Sequence, residues 1–273
     1  MSDDSLREIV DFYTQTHEEA RLVTGSSLLE FERTKELLCR FLPLPPATVM
    51  DVGGASGPYA FWLAGLGYTV HLVDATPRLV ELARQQDAHA ARRLASITVG
   101  DARYLSLADA STDAVLLLGP LYHLTERADR LAALTEARRA LRPGGVTLVA
   151  GISRYAGALD GLALHPTLDE QIAAVRHRAV ADGRYRNDTG NPRYFTTAYF
   201  HRPEDLAQEL LQARFTGVRV FGVEGPGWLV ADFDARWADP AGRDQILKVA
   251  RLLEEEPSIV GASAHLLAAG RRS

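Results

Sequence analysis

The chain is poor in the features that mark secreted, membrane-bound and disulfide-stabilised proteins. Its 273 residues include one cysteine, Cys39, so neither an internal disulfide nor a thiolate metal cluster is expected. The first residues, Met1-Ser2-Asp3-Asp4, lack the basic start and apolar core of a signal peptide. No apolar run approaches the roughly 20 residues that span a bilayer. We therefore expect a soluble protein of the reducing cytoplasm.

Charge and metal-ligand patterns exclude further classes. A net charge of −5 gives no electrostatic reason to expect nucleic acid or an anionic membrane surface as a partner. No group of histidine, cysteine and carboxylate residues shows metal-ligand spacing, so we expect no metal. The stretch Gly151-Ile152-Ser153-Arg154-Tyr155 begins like a nucleophile elbow but lacks its closing glycine, so a hydrolase triad is unsupported.

Short apolar runs between residues 48 and 150 predict the strands of a buried sheet. Such near-continuous runs suit strands that are covered on both faces, as in a parallel sheet. Helical patterns lie between them, one starting at Thr76-Pro77 and another from about Ala128 to Leu141. This alternation predicts a doubly wound, mostly parallel α/β sheet. The runs are Thr48–Val52, Thr69–Val73, Ile97–Val99, Ala114–Leu118 and Val146–Ala150.

The rest of the pattern divides the chain into four parts. Residues 1–45 carry a helical apolar stripe and are expected to form an N-terminal cap, while residues 46–154 form a nucleotide-binding core. Residues 155–200 interrupt the alternation with a helix over about Leu168–Ala181 and then aromatic residues. An insertion after a strand lies where α/β sheets bind ligands, so we expect a helical lid. Residues 201–273 complete the same sheet, with a last strand over Ala262–Ala268.

The most informative stretch is the glycine loop after the first run, residues 51–58. A strand ending in Asp51, a glycine turn, a helix and a second strand ending in Asp74 make a nucleotide-binding βαβ unit. A dinucleotide site needs G-x-G-x-x-G, but counting from Gly53 the second and third glycine positions hold Ala55 and Pro58. No Gly-Lys-Ser or Gly-Lys-Thr follows, which argues against a P-loop. The loop suits a nucleoside that carries no phosphate.

These residues resemble the class I S-adenosylmethionine-dependent methyltransferases. Asp51, Gly53 and Gly57 match the family's first motif, with Ala55 in place of its middle glycine. Later landmarks follow in the family's order, ending with Leu141-Arg142-Pro143-Gly144-Gly145 before the fifth strand. The resemblance covers about residues 46–151. It implies S-adenosylmethionine as the cofactor and a Rossmann-like sheet of seven strands.

The resemblance also implies roles for residues at the strand ends. The glycine loop would wrap the methionine part of the cofactor, and Asp74 would bind both ribose hydroxyls, since a carboxylate can accept two hydrogen bonds from a diol. Asp101 would accept from the adenine amino group. Similar enzymes place a tyrosine and a basic residue of the cap near the cofactor's carboxylate, a role open to Tyr13 and Arg33; a surface salt bridge or core packing is the alternative. The cofactor-binding candidates are Asp51, Gly53, Gly54, Gly57, Asp74, Ala75, Asp101, Ala102, Leu118, Gly119, Arg33 and Tyr13.

Candidates for the chemistry lie after the fourth run and on the lid. Methyl transfer is an in-line displacement at a sulfonium, so alignment and exclusion of water are the main tasks. If the accepting atom carries a proton, a base must remove it. His123 is the candidate base, with Tyr122 as a hydrogen-bond donor, although both residues are also placed to pack the turn. Tyr194, Phe195, Tyr199 and Trp228 are candidates for a pocket that takes a flat, apolar acceptor, unless they are simply core.

We therefore predict methyl transfer to a small molecule, by a monomer or homodimer. The Ala- and Arg-rich composition and the lid resemble natural-product tailoring methyltransferases of high-GC bacteria. Within that group, C3 methylation of the indole ring in a tryptophan-derived cyclic dipeptide is one hypothesis, because an electron-rich ring carbon needs no strong base. O- or N-methylation of another metabolite is the alternative. An NAD-dependent oxidoreductase and a non-catalytic nucleoside-binding protein remain as other classes.

Overall fold

The structure is a computed structural model that describes residues 3–15, 21–22, 24–163, 170–189, 191 and 194–273. Its helices are α1 (Asp3–Gln15), α2 (Ser27–Phe41), α3 (Pro58–Gly65), α4 (Pro77–His89), α5 (Pro120–His123), α6 (Arg127–Ala140), α7 (Ala156–Ala163), α8 (Glu170–Asp182), α9 (Pro203–Gln212), α10 (Phe233–Ala238) and α11 (Pro240–Leu253). Its strands are β1 (Thr48–Val52), β2 (Thr69–Asp74), β3 (Ser96–Val99), β4 (Thr112–Leu117), β5 (Leu141–Ser153), β6 (Arg184–Tyr185), β7 (Ala198–His201), β8 (Phe215–Gly222) and β9 (His265–Arg272). The predicted lid-helix start at Leu168 lies outside the described residues.

The strands form a mixed sheet whose central part is parallel. Strands β3, β2, β1, β4 and β5 are parallel neighbours in that order, β9 pairs antiparallel with β5, and β8 pairs antiparallel with β9. Because parallel strands need long crossovers, helices α3, α4 and α6 connect them. This confirms the doubly wound α/β fold and the strands predicted from the five apolar runs.

Both faces of the sheet are buried at its central strands β1 and β4, which explains why these strands are mostly apolar. Alternate residues of β4 point to opposite faces, so Leu116 packs with Leu63 of α3, while Leu117 packs with Leu134 of α6. All of these side chains are fully buried. A strand exposed to water on one face would instead alternate apolar and polar residues.

The structure corrects the prediction in two places. The lid contributes a short antiparallel pair, β6 and β7, and β7 joins the sheet through parallel pairing of Ile152 with Phe200, so the sheet exceeds seven strands. A two-residue strand such as β6 is too short to leave a periodic signal. The last strand begins at His265 rather than Ala262, because Val260–Ala262 form a tight 3-10 turn and pairing with β8 starts beyond it.

The fold brings the functional loops to one edge. The carboxyl ends of β1 to β4 meet at the same edge, where open α/β sheets bind ligands. Helix α1 lies over this edge and contacts α4, and Glu8 of α1 accepts a hydrogen bond from Thr197 in the lid (2.9 Å). Among the described residues, the helices are too short or too polar to cross a membrane.

Candidate cofactor and acceptor site

A cavity lies at the carboxyl ends of β1 to β4, beneath α1. Its empty space, including the solvent at its open mouth, is about 1070 Å³. Most of the predicted site residues form its wall. Those that line it are Tyr13, Asp51, Gly53, Gly54, Asp74, Ala75, Asp101, Ala102, Leu118, Gly119, Tyr122 and His123.

The glycine loop is shaped by close contacts that exclude side chains. Gly53 has φ +70°, and a Cβ there would lie 2.5 Å from Cδ of Pro120. A Cβ on Gly54 would lie 2.7 Å from an oxygen of Asp51. The third motif glycine, Gly57, has φ +94° and precedes α3 outside the cavity wall. Gly53 and Gly54 therefore let the turn after β1 approach the turn after β4 and the acid beneath it.

Ala55, which replaces the family's middle glycine, keeps the backbone conformation of a glycine. Its φ is +50°, in the left-handed region where a side chain costs roughly 1–2 kcal/mol. Its backbone N–H donates to Oδ2 of Asp74 at 2.8 Å. The loop therefore has the geometry that the motif requires despite the substitution.

Asp51 is a buried carboxylate aimed at the loop. It is fully buried, and neither of its oxygens has a hydrogen-bond partner among the described residues. Desolvation, with a contribution from the charge of Asp74, raises the pKa of Asp51 to about 7. A buried carboxylate in this state is stabilised by a cation that can donate hydrogen bonds to it.

Asp74 is held by the backbone at the end of β2. Its oxygens accept from the N–H groups of Thr76 and Ala55, both at 2.8 Å. Desolvation raises its pKa, although these two hydrogen bonds oppose the rise. Since each carboxylate oxygen has a second lone pair, Asp74 can still accept from a pair of hydroxyl groups.

Asp101 lines the cavity with an arginine beside it. Arg103 donates to it from its backbone N–H at 2.8 Å and from Nη2 at 2.6 Å, and also binds Asp129 at 3.0 Å. Desolvation opposes ionisation, but the hydrogen bonds from Arg103 keep the pKa of Asp101 below its usual range. Asp101 is therefore an ionised acceptor that is already partly engaged.

The other end of the cavity is built by Tyr13, Tyr122 and His123. Nε2 of His123 lies 2.8 Å from the Tyr13 hydroxyl, and Nδ1 lies 3.4 Å from the carbonyl oxygen of Thr197. Because a carbonyl only accepts, Nδ1 carries the proton and Nε2 accepts from Tyr13. The Tyr122 ring meets the imidazole edge-on at 4.7 Å, and Phe195 lies 5.6 Å from it.

His123 is neutral at physiological pH. Burial lowers its pKa to about 4, and the hydrogen bond to Thr197 opposes this only in part. The residues that bond it come from α1 and the lid, 110 and 74 positions away along the chain. This end of the site therefore exists only when cap, core and lid are packed together.

Several predicted residues are not brought to the cavity. Arg33 is fully buried and forms ion pairs with Glu254 and Glu36 on the far side of α2. Tyr199 lies against the guanidinium of Arg130 (3.8 Å). Trp228 donates to the carbonyl of Ala262 at 3.0 Å, Tyr194 packs within the lid, and Phe195 stands behind His123 without lining the wall.

Sequence reasoning missed Arg21, the arginine that the structure places on the cavity wall. It lies just before α2 and forms a two-bond ion pair with Glu30, at 2.5 and 3.1 Å. A basic residue between predicted helices leaves no periodic signal. The position of the cap over the sheet, rather than the local sequence, selects Arg21 over Arg33.

Comparison with known proteins agrees with this geometry. Residues 50–149 match the family described as a methyltransferase domain. The chain is 33% identical over 113 residues to a ubiquinone/menaquinone biosynthesis C-methyltransferase of Acidiphilium cryptum, a match over 41% of this chain and 44% of that protein. It is 28% identical over 200 residues to an uncharacterised methyltransferase of Mycobacterium tuberculosis, covering 70% and 73% of the two chains.

Solved structures show the same fold. A methyltransferase from Methanosarcina mazei superposes with a TM-score of 0.58 at 17% identity, over 86% of this chain and 96% of that one. A Haemonchus contortus phosphoethanolamine N-methyltransferase in complex with S-adenosylmethionine gives 0.58 at 17%, over 97% and 60%. These solved structures share the fold of this chain. Residues 50–149 form a methyltransferase domain, and S-adenosylmethionine is its cofactor.

The cavity residues fit this cofactor chemically. Asp51 offers a carboxylate with no partner among the described residues, which suits the cofactor's ammonium group. Asp74 offers acceptors for a diol, and Arg21 offers a guanidinium for a carboxylate. No phosphate-binding group is required for these contacts.

Proposed function

We propose that the protein methylates a carbon of a small, electron-rich aromatic ring. The observation that carries the proposal is the acceptor end of the cavity, where a neutral, half-buried His123 lies among aromatic side chains. Indole C3 in a tryptophan-derived cyclic dipeptide is the specific case predicted from the sequence. The names of two relatives are in line with this proposal: one from Acidiphilium cryptum is a C-methyltransferase of ubiquinone/menaquinone biosynthesis, and one from Tropheryma whipplei, 27% identical over 149 residues, is a demethylmenaquinone methyltransferase.

The residues of the cofactor half bind the cofactor and orient it. Asp74 accepts from the ribose hydroxyls, Asp51 accepts from the ammonium, and Arg21 binds the carboxylate. The bound cofactor supplies an electrophilic methyl group on a sulfonium. Residues at the cavity mouth, including Ile9, Tyr13 and Leu79, exclude water from the reacting end.

The weak basicity of His123 favours a ring carbon over a phenol oxygen. In the transfer, the bond from ring carbon to methyl forms as the carbon–sulfur bond breaks, leaving a neutral thioether and a cationic ring. A ring carbon that carried hydrogen then loses it as a strongly acidic proton, whereas C3 of a tryptophan side chain carries none and the cation loses its ring N–H proton instead. Because Nε2 of His123 already accepts from Tyr13, the released proton passes to the Tyr13 hydroxyl as that hydroxyl gives its own proton to Nε2. A phenol has a pKa of about 10, roughly six units above that of His123, about 4. Removing a phenol proton before attack would therefore be steeply unfavourable.

The cap and the lid complete the site in this proposal. Residues 1–45 act as a cap and residues 155–200 as a lid over the core of residues 46–154, which residues 201–273 complete. The Tyr13–His123 and Thr197–Glu8 hydrogen bonds, at 2.8 and 2.9 Å, support this division because they join cap, core and lid around the reacting end.

Transfer of a carbon-13 methyl group tests the proposal. The purified protein is incubated with labelled S-adenosylmethionine and panels of indoles, including cyclic dipeptides, of phenols and quinols, and of amines. NMR of the products then assigns the methylated atom. Carbon-bound label is expected, whereas label found only on oxygen or nitrogen would refute ring methylation. Binding of S-adenosylhomocysteine without transfer to any panel would favour a non-catalytic protein.

A His123→Gln variant separates chemistry from binding. Turnover should fall by about 10²–10⁴-fold, the usual contribution of a general base, while affinity for S-adenosylhomocysteine changes less than about threefold. His71→Gln is the matched control, since His71 is a half-buried histidine of β2 bonded to Ser96 (2.8 Å) away from the cavity. Equal loss of turnover in both variants would remove His123 from the mechanism.

A further inference from the structure

Behind the cavity wall, charged groups from four segments meet in one cluster. Glu30 of α2, which holds Arg21, also faces Nδ1 of His265 at 3.7 Å. That nitrogen lies 2.6 Å from Oε1 of Glu224, and Oε2 of Glu224 accepts from the Ser263 hydroxyl at 2.6 Å. We call Arg21, Glu30, His265 and Glu224 the Arg21 network. It runs from the cavity to the first residue of β9.

The positive and negative charges of the Arg21 network are equal in number only when His265 is protonated. Glu30 and Glu224 are both buried. Desolvation disfavours the imidazolium, but Glu30 and Glu224 outweigh it and raise the pKa of His265 to about 9. Desolvation also opposes ionisation of Glu30, yet Arg21 and His265 keep its pKa below the usual value. Two cations therefore face two carboxylates at neutral pH.

Loss of the charge on His265 would leave two buried carboxylates with one arginine. A buried carboxylate without compensation tends to take up a proton. A protonated Glu30 can no longer hold the guanidinium through two charge-assisted bonds. Arg21, which is partly exposed at the cavity wall, would then lose the two charge-assisted bonds to Glu30 that help to orient it.

We propose that His265 is a positioning residue for cofactor binding: its imidazolium holds Glu30, and Glu30 holds Arg21 in place for the carboxylate of the cofactor's methionine part. The inference rests on the proposed function and adds to it a residue that does not line the cavity. A guanidinium has five N–H donors, so binding Glu30 is compatible with binding a ligand carboxylate as well.

Two ligands separate an effect on the amino-acid part of the cofactor from an effect on its nucleoside part. S-adenosylhomocysteine carries the amino-acid part, whereas 5′-methylthioadenosine has the same nucleoside without it. In calorimetric titrations, His265→Asn should weaken S-adenosylhomocysteine binding by about tenfold, equivalent to about 1.4 kcal/mol, and methylthioadenosine binding by less than twofold. Glu30→Gln should give the same pattern. The control, His71→Asn, should change neither affinity.

The pH dependence supplies a readout that does not need a variant to fold. The charged groups facing His265 are Glu30 from α2, Glu224 from the segment after β8 and, behind Glu30, Arg21. As pH rises through about 9, the preference of the wild type for S-adenosylhomocysteine over methylthioadenosine should fall. The ligand's own ammonium titrates with either protein, so the difference between wild type and His265→Asn measures His265.

The outcomes are distinct. Equal weakening of both ligands, or no weakening of either, would overturn the inference and leave the proposed function standing. Failure of the wild type to bind either ligand would instead refute the proposed function.

Ligand atoms of Glu30, Glu224 and His265 lie within 4.8 Å of one another, so a metal ion is the alternative to the ion pairs at this position. Loss of S-adenosylhomocysteine affinity with chelator, restored by zinc, would overturn the ion-pair assignment.

Discussion

The two halves of the cavity are built in different ways. Apart from Arg21, the proposed cofactor half comes from residues 51–102, and its shape depends on backbone groups, such as the N–H groups of Ala55 and Thr76 that hold Asp74. The acceptor half is made by side chains from three distant segments, where Tyr13 and Thr197 bond His123. The first half is local in sequence, and the second is assembled by packing.

Because of this difference, we expect one half of the cavity to determine cofactor binding and the other to determine which acceptor is methylated. A backbone-built site tolerates side-chain exchange except where a side chain cannot fit, as at Gly53. A site built from side chains on a cap and a lid can change its acceptor without disturbing the sheet. Variants should therefore divide into those that lower cofactor affinity and those that lower turnover.

Among variants of the cofactor half, Gly53→Ala should have the largest effect on turnover. The substitution combines an unfavourable backbone conformation with a collision against Pro120 at 2.5 Å, and we expect turnover to fall by about 10²-fold, the effect of displacing reacting groups by about 1 Å. Calorimetry with S-adenosylhomocysteine and a turnover assay would measure it. Gly144→Ala is the control, because Gly144 has φ +80° with no atom within 4 Å of an added Cβ. Similar losses of turnover in both variants would mean that the positive φ, rather than the collision with Pro120, causes the effect.

Asp51→Asn should weaken S-adenosylhomocysteine binding by about 10–100-fold, the effect of losing a hydrogen bond to a charged group. The control, Asp113→Asn, changes a carboxylate at the opposite end of the sheet that bonds Thr48. It should leave the affinity unchanged. A cofactor site that did not use Asp51 would show equal affinities for both variants.

The same substitution should stabilise the protein above pH 7. Asp51 has a pKa of about 7 when folded and about 4 when unfolded. Between these values the folded state binds more protons, so the free energy of unfolding falls with rising pH, by up to about 1.4 kcal/mol per unit. Asp51→Asn removes this slope. Urea unfolding at pH 5 and pH 8 would check it, and a variant less stable than the wild type at pH 8 would contradict it.

Tyr13→Phe should reduce turnover by about tenfold, the equivalent of about 1.4 kcal/mol, because His123 loses the hydroxyl that orients it. Cofactor affinity should change less than threefold. Tyr68→Phe is the matched control, since it removes a hydroxyl that donates to Pro43 at 2.8 Å outside the site. Thermal unfolding should show a similar loss of about 1 kcal/mol for both. If turnover fell in neither variant, Tyr13 would have no part in the acceptor half.

Phe195→Leu should have the smallest effect, a roughly threefold rise in the KM for the acceptor, in line with the 0.5–1.5 kcal/mol of an aromatic pair. Tyr199→Leu should leave this KM unchanged and lower the melting temperature, because Tyr199 packs on Arg130 at 3.8 Å. A rise in this KM for Tyr199→Leu, with no rise for Phe195→Leu, would place the acceptor beside Tyr199.

Much of the fold was predictable from the sequence, and the errors have local causes. The apolar runs predicted β1 to β5; β1, β2, β4 and β5 are mostly buried on both faces, whereas β3 at the sheet edge is partly exposed. The pair β6–β7 was missed because two residues form no period. That the acids and glycines at the strand ends line one cavity was also predictable, since such residues meet at one edge in any parallel sheet. Arg33 was predicted to lie near the cofactor's carboxylate only from the resemblance to similar enzymes. The structure instead pairs it with Glu254, away from the cavity.

By itself, the sequence determined the α/β class and the cofactor. Both depend on short-range relations, the spacing of apolar residues and the order of acid, glycine turn and second acid, which fold in the same way whatever lies elsewhere. Only the tertiary structure decided that Tyr13 bonds His123, that Arg21 rather than Arg33 reaches the cavity, and that His265 faces Glu30. The physical reason is distance along the chain: side chains separated by 100 residues or more become neighbours only when cap, lid and last strand pack against one sheet.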